Sequence, residues 1–234
     1  MEINSLSVFL PAFNEEENIA STISNVQQGL DLCKLKNYEI IVVNDASTDQ
    51  TAKVVESLQA KYPKLRLVTH PTNLGYGGAL KTGFQESKYE WVAFTDSDGQ
   101  FDFKEITKFI EKTDSADLIV GYRIARADPF RRKVLTYGWK TIALLLLGLS
   151  VKDYSCGFKL IKKSVYNAVL PLETEEKVTQ IEFLVKAKKR GFQFAEVGVN
   201  HYPRRFGSPT GGSIFSKVFF KSFVDLFILW WKLR

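Results

Sequence analysis

Two hydrophobic rhythms alternate along the first half of the chain. Short apolar runs, many of them β-branched, occur at Leu6 to Leu10, Tyr38 to Val43, Leu65 to Thr69, Trp91 to Phe94 and Leu118 to Val120. Runs of this length and composition read as strands. Between them, apolar residues fall at helical spacing: Ile19, Ile23, Val26 and Leu30, then Val54, Val55 and Leu58, then Leu80 and Phe84, then Ile106, Phe109 and Ile110. Pro11 is expected to halt the first strand. Asn14-Glu15-Glu16-Glu17 is expected to open the first helix, with Asn14 as cap and Glu17 in the capping-box position. Strand–helix alternation with short connections predicts an α/β fold: a Rossmann-like, mostly parallel sheet flanked by helices.

Beyond Arg123 the pattern changes. Arg126, Arg131, Arg132 and Lys133 form a basic loop around Pro129. Ile142 to Val151 is an apolar run, shorter than the roughly twenty residues that a bilayer requires. It reads as a core helix or as a helix on a membrane surface. A strand-like Leu160-Ile161 follows. A helix begins at Thr179-Gln180-Ile181-Glu182-Phe183, with Leu184 and Ala187 on its apolar side. Phe192 to Tyr202 alternates as a last strand and leads to Arg204, Arg205 and Gly207 in a loop ending at Gly211-Gly212. These features predict one domain over residues 1–212.

Residues 213–234 then read as an amphipathic helix. Ser213, Lys217, Lys221 and Asp225 make a polar stripe, while Phe215, Val218, Phe219, Phe223, Phe227, Trp230 and Trp231 cover most of the rest. Charges at Lys221 and Asp225 argue against a spanning helix. Trp and Lys near the end suit the interface between water and lipid. Docking on the protein itself or on a second subunit is the other reading.

Composition narrows the setting. A length of 234 residues suits one ordinary domain, and 45% hydrophobic with 25% charged residues belongs to a folded protein. The net charge of +6 is concentrated at the end, where six Lys and Arg face a single Asp from His201 onward. Basic residues beside aromatic ones suit an anionic membrane surface. No nucleic-acid-binding module is visible, which sets nucleic acid aside as a partner. Cys33 and Cys156 match no metal-ligand spacing and read as buried thiols in a reducing compartment. Met1-Glu2-Ile3-Asn4 leads into the first strand with no basic n-region or apolar h-region, so no secretory signal is expected.

The candidate chemistry lies at strand ends. Thr95-Asp96-Ser97-Asp98-Gly99-Gln100 follows the Trp91 strand. Side chains at i and i+2 of an extended segment point the same way, so Asp96 and Asp98 are placed to face one ligand. A hard divalent cation carrying a phosphate is the simplest candidate, because it removes the repulsion between the carboxylates. A plain polar turn would use the same residue types. Asn44-Asp45-Ala46-Ser47-Thr48-Asp49 is a second acidic turn, and Asn73-Leu74-Gly75-Tyr76-Gly77-Gly78-Ala79 is a glycine-rich one opening a helix. Its glycines permit either a phosphate at the helix N-terminus or a turn with positive φ. In a parallel sheet these strand ends share one edge and converge on one crevice.

The order of these pieces resembles the family 2 glycosyltransferases of GT-A fold, and within them the branch that moves sugar onto a polyprenyl phosphate, such as the dolichyl-phosphate mannosyltransferases. The matching stretches are Leu10 to Glu15, Val43 to Asp49, Asn73-Leu74-Gly75, Asp96 to Gln100, Gly121-Tyr122-Arg123, Asp153 with Gly157-Phe158, Gln180 with Glu182, and Arg204 to Gly207. They run in family order over about residues 5–210. The resemblance implies that Pro11, Phe13, Glu15, Val43 and Asp45 line the base and ribose pocket. It implies that Asp96, Ser97 and Asp98 meet metal and diphosphate, with Gln100 as a further ligand. Arg123 and Arg204 would meet phosphate oxygens, and Arg131 and Arg132 would join Arg123 on the acceptor phosphate.

Asp153 matches the acidic residue proposed as base or acceptor-positioning group. The implied activity is inverting, Mg²⁺- or Mn²⁺-dependent transfer from a GDP- or UDP-sugar to a polyprenyl (dolichyl or undecaprenyl) phosphate. The implied setting is peripheral, at the cytoplasmic face of a membrane, as a homo-oligomer or beside a separate membrane subunit. Two other readings are a same-fold enzyme extending a cell-envelope polysaccharide or glycan, and a catalytically silent module that binds nucleotide sugar or membrane. Asn44 departs from the Asp usual in the family, and no lysine follows Gly207-Ser208 as it does in the mannosyltransferases.

Overall fold

The computed structural model describes residues 3–124, 147–174, 178–207 and 227–232. Strands β1 (Ser5–Ala12), β2 (Asn37–Asn44), β3 (Leu65–Thr69), β4 (Trp91–Phe94), β5 (Leu118–Arg123), β6 (Lys159–Lys162) and β7 (Phe194–Val199) form one sheet. Helices α1 (Ile19–Leu32), α2 (Thr51–Leu58), α3 (Gly75–Glu86), α4 (Ile106–Ile110), α5 (Lys163–Val169) and α6 (Val178–Lys189) connect and cover it. The strand order is β3-β2-β1-β4-β6-β5-β7. β1 pairs in parallel with β2 and β4, β2 with β3, and β5 with β7. Among the described residues only β6 runs the other way, antiparallel to both β4 and β5.

Burial on both faces explains the unbroken apolar runs of the central strands. Phe9, Ile41, Val43, Val92 and Phe94 point into one core, shared with Leu80 and Phe84 of α3, Tyr166 of α5 and Phe183 of α6. Val8, Leu10, Ile40, Val42 and Ala93 point into the other, shared with Ile19, Ile23 and Val26 of α1 and Ile106 and Phe109 of α4. The period-two alternation of each strand thus feeds two layers. Close helix–sheet approach needs Gly83, where an added Cβ would lie 2.3 Å from the Phe9 ring.

Two expectations about the first connection are corrected. β1 continues through Pro11, which pairs with Val43. Phe9 O accepts from the Thr95 N–H, and Pro11 O accepts from Ser97 Oγ at 2.7 Å. The missing N–H of Pro11 therefore faces the side on which β4 has already ended, and no ladder bond is lost. Asn14 is not a helix cap. It sits at φ 55° and its Oδ1 accepts from the Thr48 N–H at 2.8 Å. α1 begins later, after Asn18, without a side-chain cap bond. A partner far along the chain outcompeted the local one.

Leu147, Leu149 and Val151, from the end of the second apolar run, are buried in the α3-side core. Arg126, Arg131, Arg132 and Lys133 lie outside the described residues, as does the boundary expected after residue 212. The stretch 227–232 is helical. Leu229 is 3% exposed and joins the core, whereas Phe227, Ile228 and Trp231 are 57%, 45% and 68% exposed. Among the described residues no helix is long and apolar enough to cross a membrane.

Candidate active site

Six strands pointing one way deliver their C-terminal ends to one edge of the sheet. β1 leads to Glu15, β2 to Asp45, β3 to His70, β4 to Asp96–Gln100, β5 ends at Arg123, and β7 leads to Arg204. The antiparallel β6 starts at that same edge, so the segment before it, Asp153 to Gly157, also arrives there. One reversed strand therefore adds a second acidic segment to the crevice at which parallel strands end.

Asp96 and Asp98 are partly exposed, while Ser97 between them is buried with its hydroxyl donating to Pro11 O at 2.7 Å. Burial alternates over these three residues, although Ser97 and Asp98 lie in a turn rather than in an extended segment. Asp96 Oδ1 accepts from the Tyr76 hydroxyl at 3.0 Å. Its other oxygen lies against Gly157, where a Cβ would come within 2.0 Å, so a side chain there would displace the Asp96 carboxylate. Asp98 Oδ1 accepts from the Gln100 N–H at 3.1 Å, and its Oδ2 lies 3.7 Å from Arg204 Nη1. Burial and the neighbouring Asp96 push the Asp98 carboxyl up to about 7, against the pull of the Gln100 N–H and Arg204.

This donor set fits a hard divalent cation: two carboxylates at one rim whose mutual repulsion a cation would relieve. Among the described residues, no group of three or more His, Cys, Asp or Glu side chains is placed to hold a metal ion. Two protein carboxylates would thus need oxygens from a bound phosphate group to complete a coordination shell.

Both arginines reach carboxylates. Arg123 forms a bidentate pair with Asp153, Nε to Oδ2 at 2.7 Å and Nη2 to Oδ1 at 2.9 Å, and also donates to Ser155 Oγ. Arg204 Nη2 lies 2.6 and 2.7 Å from the two oxygens of Glu15, and its Nε donates to Phe206 O. Asn18 Nδ2 donates to Glu15 as well, at 2.8 Å. Planar forks of this kind are held in one orientation. Gln100 donates from Nε2 to Tyr202 O and accepts at its backbone O from the Tyr202 N–H, which ties the acidic turn to the segment leading to Arg204.

Of the remaining residues expected at the site, Pro11 and Asp45 are buried at the strand ends and Phe13 is half-buried beside them. Val43 has no exposed surface and its side chain belongs to the core. Asp45 Oδ1 lies 2.7 Å from His70 Nδ1 and accepts from the Leu74 N–H at 2.8 Å. The glycine-rich turn reaches positive φ at Gly75 (74°) and carries Tyr76 to Asp96. His70 and Lys159 escaped the sequence reading, and Tyr76 entered it only as part of the glycine-rich turn. His70 follows an unremarkable strand, and Lys159 sits in a lysine-containing run that looks like solvated surface. Lys159 is 1% exposed, and burial pushes its ammonium down to about 8 against the pull of Cys156, Asp153 and Asp96. Glu182 serves the fold, with its carboxylate accepting from the Glu173 and Thr174 N–H groups and pairing with Lys186.

Comparison with known proteins places this geometry. A family model described as glycosyl transferase family 2 matches residues 7–170. The dolichyl-phosphate β-glucosyltransferase of Dictyostelium discoideum is 33% identical over 214 residues, covering 83% of this chain and 65% of that protein. The human protein of that name is 30% identical over 217 residues, covering 83% and 66%. The chain thus spans about two thirds of the length of these relatives.

Among solved structures, the UDP complex of glucosyl-3-phosphoglycerate synthase from Mycobacterium tuberculosis superposes with a TM-score of 0.73 at 18% identity, over 97% of this chain and 80% of that one. Its complex with Mn²⁺, UDP and phosphoglyceric acid gives 0.69 at 20% identity, over 88% and 72%. These likenesses concern the fold, which is the GT-A arrangement of a mostly parallel sheet flanked by helices. With most of its length matched by the family model, the chain belongs to glycosyl transferase family 2.

Proposed function

We propose that the protein transfers a hexosyl group from a nucleoside diphosphate sugar to a polyprenyl phosphate at a membrane surface, with inversion at the anomeric carbon. The observation that carries this reading is the gathering of Asp96, Asp98, the Arg123–Asp153 pair and the Arg204–Glu15 pair on one sheet edge. The names of the relatives point to glucose and dolichyl phosphate. The structural neighbours hold UDP, which makes UDP-glucose the first donor to test.

Asp96 and Asp98 would hold Mg²⁺ or Mn²⁺ together with the donor diphosphate, with Gln100 beside them. When bound, such a cation supplies positive charge that offsets the charge developing on the departing nucleoside diphosphate. Pro11, Phe13, Glu15 and Asp45 would border the nucleoside. Arg204, aimed by Glu15 and close to Asp98, would offer its remaining donors to phosphate oxygens. Arg123 would meet the acceptor phosphate, with Arg131 and Arg132 as further candidates. Both oxygens of Asp153 accept from Arg123. A phosphate acceptor is already an anion at neutral pH and needs no proton removed. Asp153 then orients Arg123 instead of acting as a base.

The test is a labelled-donor assay in which UDP-glucose and GDP-mannose are each offered with dolichyl or undecaprenyl phosphate, or with soluble saccharides. Label entering the lipid fraction supports the proposal, and label entering saccharide alone sinks it. Replacing both Asp96 and Asp98 by alanine should lower transfer by at least about two to three orders of magnitude, the scale on which electrostatic stabilisers of a developing charge act.

A further inference from the structure

Lys159 is almost wholly buried and has no part in the reading above. An ammonium group in such a place needs several partners to offset its lost hydration. Its Nζ donates to Cys156 O and to Gln180 Oε1. Gln180, 6% exposed, donates from Nε2 to the Tyr76 hydroxyl oxygen at 3.0 Å. Tyr76 in turn donates to Asp96 Oδ1 at 3.0 Å. Four side chains from β6, α6, α3 and the β4 terminus form one hydrogen-bonded line that ends on the carboxylate proposed to hold the cation.

The polarity of this line follows from its far end. A lysine ammonium is a donor only. It therefore requires the carbonyl end of the Gln180 amide, and that leaves the NH₂ end facing Tyr76. The Tyr76 oxygen accepts there, so its own proton is left to point at Asp96. Each link removes one rotational choice from the next. On the other side of Asp96, Gly157 lacks the Cβ that would collide with the carboxylate, which leaves room for it in this orientation.

We infer that Lys159, Gln180 and Tyr76 are positioning residues, a relay that fixes the orientation of the Asp96 carboxylate for cation binding. This rests on the proposed role of Asp96 and extends it to residues lying behind the site. Second-sphere partners of metal ligands change affinity by about 10- to 100-fold when removed. The relay makes a sharper claim than proximity does: its direction matters as well as its presence.

The discriminating variant is Gln180→Glu, which keeps size and shape. Its carboxylate accepts from Lys159 and also from Tyr76, which draws the tyrosine proton away from Asp96. Mn²⁺ binding, followed by the electron paramagnetic resonance of free Mn²⁺ in the presence of UDP and in parallel of GDP, is the readout. Gln180→Glu and Tyr76→Phe should each weaken Mn²⁺ about 10- to 100-fold. Nucleotide affinity in metal-free buffer should stay unchanged. The double variant should be no weaker than either single one, because both cut the same line.

Wild-type Mn²⁺ affinity in Tyr76→Phe and Gln180→Glu would overturn the relay while leaving the proposed function standing. Equal losses of metal and metal-free nucleotide binding would also overturn it, since that is the mark of a general structural defect. A wild-type protein that binds no Mn²⁺ with either nucleotide would overturn the relay and the reading beneath it together.

Discussion

On the proposed reading, a proton and a cation would compete for the same oxygens of Asp98. Its carboxyl is pushed up to about 7 by burial and by Asp96, from an ordinary value of 3.8. An acid raised in the folded state binds its proton more tightly there than in the unfolded chain. Its contribution to metal-free stability is thus full below the unfolded value and is lost as pH rises through about 7. Cation binding has the opposite sign, because the proton must leave first. Mn²⁺ affinity should be flat above about pH 7 and fall about tenfold per unit below it, and Asp98→Asn should be weak throughout; titrations between about pH 5.5 and pH 8 check this. The two aspartates were legible in the sequence because a spacing of two on a strand end has a geometric meaning. Lys159 was not, since a buried lysine carries no local mark. Its burial is set by α6 and α3 packing over β6, which no window around Lys159 contains.

Among the elements, the parallel strands were readable and the reversed one was only half so. Leu160-Ile161 looked like a strand, and β6 is one, but apolar patterning says nothing of direction. The direction of β6 shows in its pairing, which is antiparallel to both β4 and β5. Asn14 failed as a cap for a related reason: Thr48, brought close by the β1–β2 pairing, competes for its side chain. The close contact between α3 and the sheet gives a test of the packing that holds the glycine-rich turn over Asp96. A Cβ at Gly83 would lie 2.3–2.5 Å from three atoms of the Phe9 ring, itself packed against Phe84 and Phe94. Helix propensity alone favours alanine over glycine by about 1 kcal/mol. Overpacking a filled core costs about 1–3 kcal/mol, so Gly83→Ala should be neutral to destabilising by up to about 2 kcal/mol. Denaturant unfolding measures the balance, and a gain in stability would show that α3 shifts freely on the sheet.

For the whole molecule, the question is how a domain with its crevice at one sheet edge would meet the proposed lipid substrate. The stretch 227–232 divides its apolar residues between two destinations. Leu229 and Trp230 pack on the α3-side core, and Lys232 pairs with Glu173 in the segment that Glu182 also holds. Phe227, Ile228 and Trp231 face outward. A helix fixed to the protein by one face and apolar on the other suits a shallow place in the headgroup region, with basic residues drawing it to anionic lipid. Phe227→Glu with Trp231→Glu should therefore reduce binding to vesicles containing phosphatidylserine by at least about tenfold, with little change in melting temperature. Leu229→Glu should do the reverse, lowering the melting temperature by burying a charge while the outward face stays intact. Cosedimentation and thermal unfolding of the same variants separate the two effects. If replacing the outward pair leaves vesicle binding unchanged, the membrane role of this helix fails, while the lipid-phosphate reading still rests on the charged groups at the sheet edge.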